Sequence, residues 1–195
     1  MNRSDARTSV QCNKVFGIGF HKTATSSLAQ ALMLLGYRVT GPNGVNNSDI
    51  ASDVYRMARE LTHDFDAFQD NPWPLLYKEA DQWCPDSRFI LTVRSTQAWI
   101  DSVKAHFKDH STPMRKWIYG AGSPLSHESI YIEKYEQHNR EVIRYFKNRP
   151  ESLLVLNITE GDSWQQICPF LKKNIPNIKF PHVNKASERI GSGEF

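Results

Sequence analysis

A three-layer α/β/α sandwich around a parallel sheet is the fold that this sequence predicts, and three observations predict it. Short apolar runs alternate with amphipathic, helix-periodic stretches along the chain. The clearest runs, Phe89-Ile90-Leu91-Thr92-Val93 and Leu153 to Leu156, are continuously apolar, as strands covered on both faces must be. The first run passes through Gly17 and Gly19 into Lys22, and four hydroxyl residues then fall within five positions, Thr23, Thr25, Ser26 and Ser27. That is the order strand, tight turn, helix start.

Taken along the chain, Val15 to Gly19 read as the first strand. A helix follows from about Thr25 to Leu35, with Leu28, Ala31, Leu32, Leu34 and Leu35 as its apolar positions and Gly36 as its C-terminal cap. Tyr37 to Thr40 read as a short strand, and Gly41-Pro42-Asn43-Gly44 as a loop. Asp49 to Leu61 place Ile50, Val54, Met57, Ala58 and Leu61 on one helical face. Phe65 to Gln69 read as a strand ended by Asp70-Asn71-Pro72, Trp73 to Trp83 as a helix stopped at Cys84-Pro85, and Phe89 to Val93 as the central strand. Arg94 ends that strand and a helix runs from Thr96 to Phe107. Residues 108–127 carry two prolines and two glycines and read as a loop or lid holding Trp117 and Tyr119. A long helix over about Glu128 to Asn148, a strand at Leu153 to Leu156 and a helix at Trp164 to Lys172 complete a single domain over residues 14–190.

The totals narrow the function classes. A net charge of +3 implies no general attraction to nucleic acid or to a membrane surface. Cys12, Cys84 and Cys168 are widely spaced and odd in number, which argues against a disulfide framework or a zinc site and for a reducing, cytoplasmic setting. Residues 1–13 are polar with no apolar centre, so they read as a flexible start without a signal peptide. No apolar run approaches the roughly 20 residues that span a bilayer. Gly191 to Phe195 read as a flexible tail, or as a linker of artificial origin.

In a parallel sheet, ligands sit at the carboxyl ends of the strands. Three strand ends there carry chemistry: His21 to Ser26 after the first, Asp70 after the third, and Arg94 after the fourth. A helix N-terminus offers unpaired N–H groups and a positive dipole end to an anion, and Lys22 adds a full charge. Ser102, eight residues beyond Arg94, lies about two turns into the following helix, where its hydroxyl can converge with the guanidinium on a second oxyanion. Two separated anion sites fit a ligand with two phosphate groups. A kinase-type phosphate loop fits less well, because His21 stands where a glycine should precede the lysine, and the best strand ends on Arg94 rather than on a magnesium-holding acid. Asp70 reads either as a base or as a turn residue before proline. His21 reads as a second base, a donor ligand or a strand-end structural residue. Trp73 and Trp117 read as core or as borders of an acceptor pocket, His138 as structural, and Lys104, Lys108 and Arg115 as solvated charges.

On these residues the chain resembles the sulfotransferases that use 3′-phosphoadenosine-5′-phosphosulfate (PAPS). Lys22-Thr23-Ala24-Thr25-Ser26 is similar to their 5′-phosphosulfate loop, and Arg94 with Ser102 looks like their 3′-phosphate motif. The ending, Leu153 to Leu156, Trp164, Cys168 to Leu171 and Phe180 to Asn184, also resembles theirs, so the likeness spans about residues 14–185 and is nearest the compact bacterial-type branch. The resemblance implies a P-loop NTPase-like fold, PAPS as donor, 3′,5′-adenosine bisphosphate as product, and no required metal. It implies that Lys22, Thr23, Ala24, Thr25, Ser26 and Ser27 hold the 5′ end and that Arg94 and Ser102 hold the 3′-phosphate. Asp70 stands where the cytosolic branch places a catalytic histidine, and Ala24 where a glycine is usual. Arg189-Ile190-Gly191-Ser192-Gly193 approximates the family's late basic, glycine-rich segment. The resemblance leaves the acceptor a small molecule or a glycan, and the oligomeric state open. An ATP-dependent kinase, or a binding protein that keeps the pocket without turnover, remain the alternatives.

Overall fold

The computed structural model describes residues 13–183. Most of the polar start, the Arg189–Gly193 segment and the 191–195 tail lie outside the described residues. Five strands, β1 Val15–Gly17, β2 Val39–Thr40, β3 Ala67–Phe68, β4 Arg88–Thr92 and β5 Leu153–Leu156, form one sheet in the order β2-β3-β1-β4-β5, with every pairing parallel. Among the described residues seven α-helices surround it: α1 Thr25–Leu34, α2 Ile50–Asp64, α3 Tyr77–Trp83, α4 Thr96–Phe107, α5 Pro113–Tyr119, α6 Glu128–Tyr145 and α7 Trp164–Leu171.

Period-2 alternation in the strands divides the apolar residues between two cores. Val15, Ala67 and Ile90 face α1 and α7, where they meet Leu28, Leu32, Trp164 and Ile167. Phe16, Phe68, Phe89 and Leu91 face the layer built from α2 to α6. The register places Phe16 beside both Phe68 and Phe89, and its ring stacks on theirs at centroid distances of 4.7 and 5.4 Å. Each such fully buried side chain contributes about 1.5–3 kcal/mol. Cys84 and Cys168 are buried, one in each core.

The strands are shorter than their apolar runs, because pairing stops where the chain turns into functional loops. Beyond Gly17 a single bond, Ile18 N–H to Ile90 carbonyl at 2.8 Å, continues the β1–β4 ladder. Trp73 to Leu76 form a separate 3₁₀ turn before α3. The main departure is α5, which occupies the stretch read as a loop or lid. Thr112 caps it, its Oγ1 accepting from Arg115 N–H at 3.2 Å; Pro113 opens it and Gly120, at φ 70°, ends it. Met114, Ile118 and Tyr119 bury its inner face.

Just beyond β1 the chain then lies close against β4. A Cβ on Gly19 would lie 2.0 Å from Thr92 Oγ1 and 2.3 Å from the Thr92 carbonyl oxygen, so only glycine fits. Gly19→Ala is expected to cost about 3 kcal/mol, read as a lowered urea midpoint or as loss of soluble protein; wild-type stability would refute the close contact.

Candidate active site

One cleft of about 1690 Å³ opens along the carboxyl edge of the sheet. Its lining includes Lys22 and Ala24 from the β1–α1 loop, Thr25, Ser26 and Ser27 from the first turn of α1, Asp70 and Asn71 after β3, Arg94 just after β4, and Ser102 from the second turn of α4. The three strand ends singled out in the sequence therefore meet in one place.

The loop itself is built from left-handed residues. Lys22 has φ 67° and Ala24 has φ 68°, ψ 31°. Alanine resists positive φ, yet the chain imposes it here at a cost of about 1–2 kcal/mol. Ala24 is the residue that caps α1, and its carbonyl accepts from Leu28 N–H at 3.1 Å. The first-turn N–H groups of α1 have no acceptors within the helix and point toward the loop. The hydroxyls take different directions. Thr23 is fully buried; its Oγ1 donates to the Phe20 carbonyl at 2.6 Å, and Thr92 Oγ1 donates to it at 2.6 Å. It does not line the cleft, so what it offers an anion is its backbone. Thr25 Oγ1 donates to Asp70 Oδ2 at 2.8 Å. Ser27 Oγ accepts from Val183 N–H at 3.0 Å, which ties the segment after α7 over the loop and brings His182 to the cleft. Ser26 is exposed to it.

Asp70 also has positive φ, 60°, and its Oδ1 accepts from Asn71 N–H at 2.7 Å. Burial pushes its pKa above the usual carboxylate range, against the opposing pull of the Asn71 amide, the Thr25 hydroxyl and Lys22. His21 is buried, and its pKa falls to about 3, first from burial and then from the charges of Arg115, Lys22 and His106. The Asn71 Nδ2 amide can only donate, so His21 Nδ1 accepts from it at 3.2 Å, and His21 Nε2–H donates to Tyr119 OH at 3.1 Å. Both ring nitrogens are engaged.

Arg94 is held by its backbone. Tyr135 OH accepts from Arg94 N–H at 2.9 Å and donates to the Arg94 carbonyl at 2.8 Å. Tyr135 lies flat on Trp99, with centroids 4.2 Å apart, and the Trp99 indole donates to the His21 carbonyl at 2.9 Å. A chain of packed aromatics thus spaces the arginine arm from the lysine arm. Tyr135 falls within the long helix read over Glu128 to Asn148, but its hydroxyl role has no local signal, because its partner is 41 residues away.

Several sequence expectations receive their places here. Arg115, read as a solvated charge, is instead 4% exposed: Nε donates to the Gly122 carbonyl at 2.9 Å, Nη2 donates to the His110 carbonyl, and the guanidinium lies 4.2 Å from the Phe107 ring centroid. The correction has a physical reason, since α5 turns that side chain inward where three neighbours can satisfy it. Lys104 pairs with Glu128 at 2.8 Å, and Lys108 is exposed at the cleft. Trp73 is fully buried core and donates to Asn43 Oδ1 at 3.0 Å, and Trp117 does not line the cleft. His138 Nε2–H donates to the Ile18 carbonyl at 2.7 Å, a structural bond, and burial lowers its pKa to about 4. Among the described residues no cluster of three or more His, Cys, Asp or Glu could hold a metal, and no helix is long and apolar enough to cross a membrane.

A parallel sheet with an anion-binding loop at the head of α1 defines a P-loop NTPase-like α/β protein. Comparison with known families narrows this. The sulfotransferase domain matches residues 14–131 and 114–189, and the chain belongs to that family. It is also similar to Ava biosynthesis cluster protein M of Aspergillus versicolor, 24% identical over 217 residues, covering 87% of this chain and 80% of that protein. Family membership supports sulfotransferase activity in general.

Two outcomes follow from this geometry. Ala24→Gly relieves the left-handed strain and should raise stability by about 0.5–1 kcal/mol after the added unfolded-state entropy, read in denaturant melts; a loss of stability would contradict it. Between pH 6.5 and about 4 the unfolded state binds protons at His21 and His138 that the folded state refuses, so stability is lost as pH falls through that window. Melting temperature should drop from pH 6.5 toward 5, and the drop should shrink by about half in His138→Gln; an unchanged slope would show that His138 does not contribute.

Proposed function

We propose that this protein transfers a sulfuryl group from PAPS to a hydroxyl or amine acceptor. The observation that supports the reading is that the Lys22 loop at the head of α1, Arg94 after β4 and Ser102 on α4 all line one cleft. The residues suit the donor: one arm for the 5′ end, one for the 3′-phosphate that distinguishes PAPS from ATP.

When bound, PAPS supplies an activated sulfuryl group: the acceptor–sulfur bond forms as the bridging oxygen–sulfur bond breaks, leaving 3′,5′-adenosine bisphosphate. This chain's part is alignment and charge stabilisation. Lys22 neutralises charge that grows on the bridging oxygen. Backbone N–H groups of residues 23–27 and the Ser26 hydroxyl grip the 5′-phosphate. Arg94 and Ser102 hold the 3′-phosphate. Asp70 accepts the acceptor's proton, and its raised pKa makes it a better base than an ordinary carboxylate. His21, neutral and bonded at both nitrogens, serves as a positioning residue beside it.

A second reading has one observation in its favour. A loop hydroxyl bonded to a strand-end carboxylate, as in Thr25 and Asp70, is the pairing that holds magnesium in P-loop phosphoryl transferases. Calorimetry separates the two readings. The sulfotransferase reading expects 3′,5′-adenosine bisphosphate to bind at least tenfold more tightly than AMP or magnesium-ATP; equal or weaker binding overturns it. Arg94→Ala should weaken bisphosphate binding about tenfold or more, as expected for loss of a charge-assisted contact. Lys22→Ala should lower kcat by about 10²–10³, and the reverse pattern would count against these roles.

A further inference from the structure

The stretch that follows α7, Lys172 to Val183, carries Lys172, Lys173 and Lys179 and no acidic residue. All three lysines are exposed, and among the described residues none of them is in an ion pair. Between them Ile175 and Ile178 are 52% and 51% exposed. We infer that this segment docks on an anionic lipid surface, with its lysines among the headgroups and its isoleucines at the edge of the acyl region. The inference stands apart from the sulfuryl-transfer reading, because none of these five side chains lines the cleft.

The segment is tied down along its length, which holds the isoleucines outward. Lys173 N–H donates to the Cys168 carbonyl at 2.8 Å as α7 ends. The Trp164 indole donates to the Ile178 carbonyl at 2.9 Å, and Phe180 packs edge-on against the Trp164 ring at a centroid distance of 4.9 Å. Val183 N–H then reaches Ser27. Lys173 Nζ lies 5.0 Å from the Tyr37 ring centroid, which joins the segment to the end of α1, where Met33 and Leu34 are 54% and 48% exposed. Asp66, the acid whose charge reaches Tyr37, is already paired with Arg38 and Lys14, so it leaves the lysines unopposed.

Single exposed apolar side chains are ordinary. Two isoleucines set between lysines on one restrained segment are a different case. Lysine stems lie along apolar surface while their ammonium groups stay in the polar layer, so the two residue types can be satisfied at one lipid interface. Each lysine beside an anionic surface tightens binding about fivefold, and buried apolar area adds to that. A nucleic acid fits less well, because residues 172–179 offer no aromatic ring on which a base could stack. The net charge of +3 gives the whole molecule no general attraction, so the attraction belongs to this face.

Co-sedimentation of the full chain with vesicles tests this. Vesicles of phosphatidylcholine and phosphatidylserine in a two-to-one mixture are compared with phosphatidylcholine alone. Binding should be about tenfold or more tighter to the anionic vesicles and should weaken as salt is raised. Lys173→Glu with Lys179→Glu should weaken it about tenfold or more. Ile175→Ser with Ile178→Ser, which leaves the charge unchanged, should weaken it about fivefold. Arg144→Glu with Lys147→Glu, exposed at the far end of α6 and beyond it, makes the same change in net charge and should stay within about twofold. All the substituted side chains are exposed, so an unchanged melting temperature shows that each variant is folded. Equal binding to both vesicle types, binding to neither, or equal losses in the two charge-reversed pairs overturns the docking face. Anionic binding that ignores the isoleucine pair reduces the segment to a plain charged patch and overturns it too. Binding of an oligouridine without binding of vesicles assigns the lysines to a nucleic acid and overturns the lipid partner.

Discussion

Everything in the cleft depends on how closely β1 and β4 run together at their carboxyl ends. Gly19 lies against Thr92 with no room for a methyl group, and Thr23 and Thr92 share a hydroxyl bond just above. That contact brings the loop after β1 beside the residue after β4. With the strands separated by even one side chain, Lys22 and Arg94 would no longer face one ligand. That contact therefore sets how far Lys22 stands from Arg94, and the aromatic chain from Tyr135 through Trp99 to His21 holds the spacing.

The electrostatics follow from the same compactness. Cationic side chains, Lys22, Arg94 and Arg115, border the cleft, and the titratable groups packed among them are driven toward neutrality. His21 loses its proton because burial and three positive neighbours all disfavour the imidazolium. Asp70 is raised because burial outweighs the donors that favour its charge. Under the sulfuryl-transfer proposal, a neutral imidazole and a carboxylate of raised pKa suit a step that takes up a proton while negative charge arrives with the donor. Before a ligand enters, the cleft is left with an excess of positive charge.

The lining of the cleft is mixed in character. Beside the Lys22 loop the segment after α7 folds back, its Val183 N–H bonded to Ser27. Toward α5, Pro42, Val45, Phe107 and Met114 stand among Lys108, Thr112 and Arg115.

Much of the architecture was legible in the sequence, because it rests on local periodicity. Continuous apolar runs marked the buried parallel strands, 3.6-residue periodicity marked the helices, and the glycine-lysine-hydroxyl order marked the loop. Even α5 had its signals, Thr112, Pro113 and Gly120, masked by the prolines and glycines around it. Left undecided were matters that depend on residues far apart in the chain: that Ala24 accepts a left-handed conformation, that the Thr23 hydroxyl turns inward to Thr92, that Tyr135 holds Arg94, and that Arg115 is buried rather than solvated. Residue types and their spacing were enough to pick out the loop and strand-end residues that line the cleft. Only tertiary packing could decide which way each side chain points and what charge it carries, since burial and neighbours 40 to 100 residues away set both.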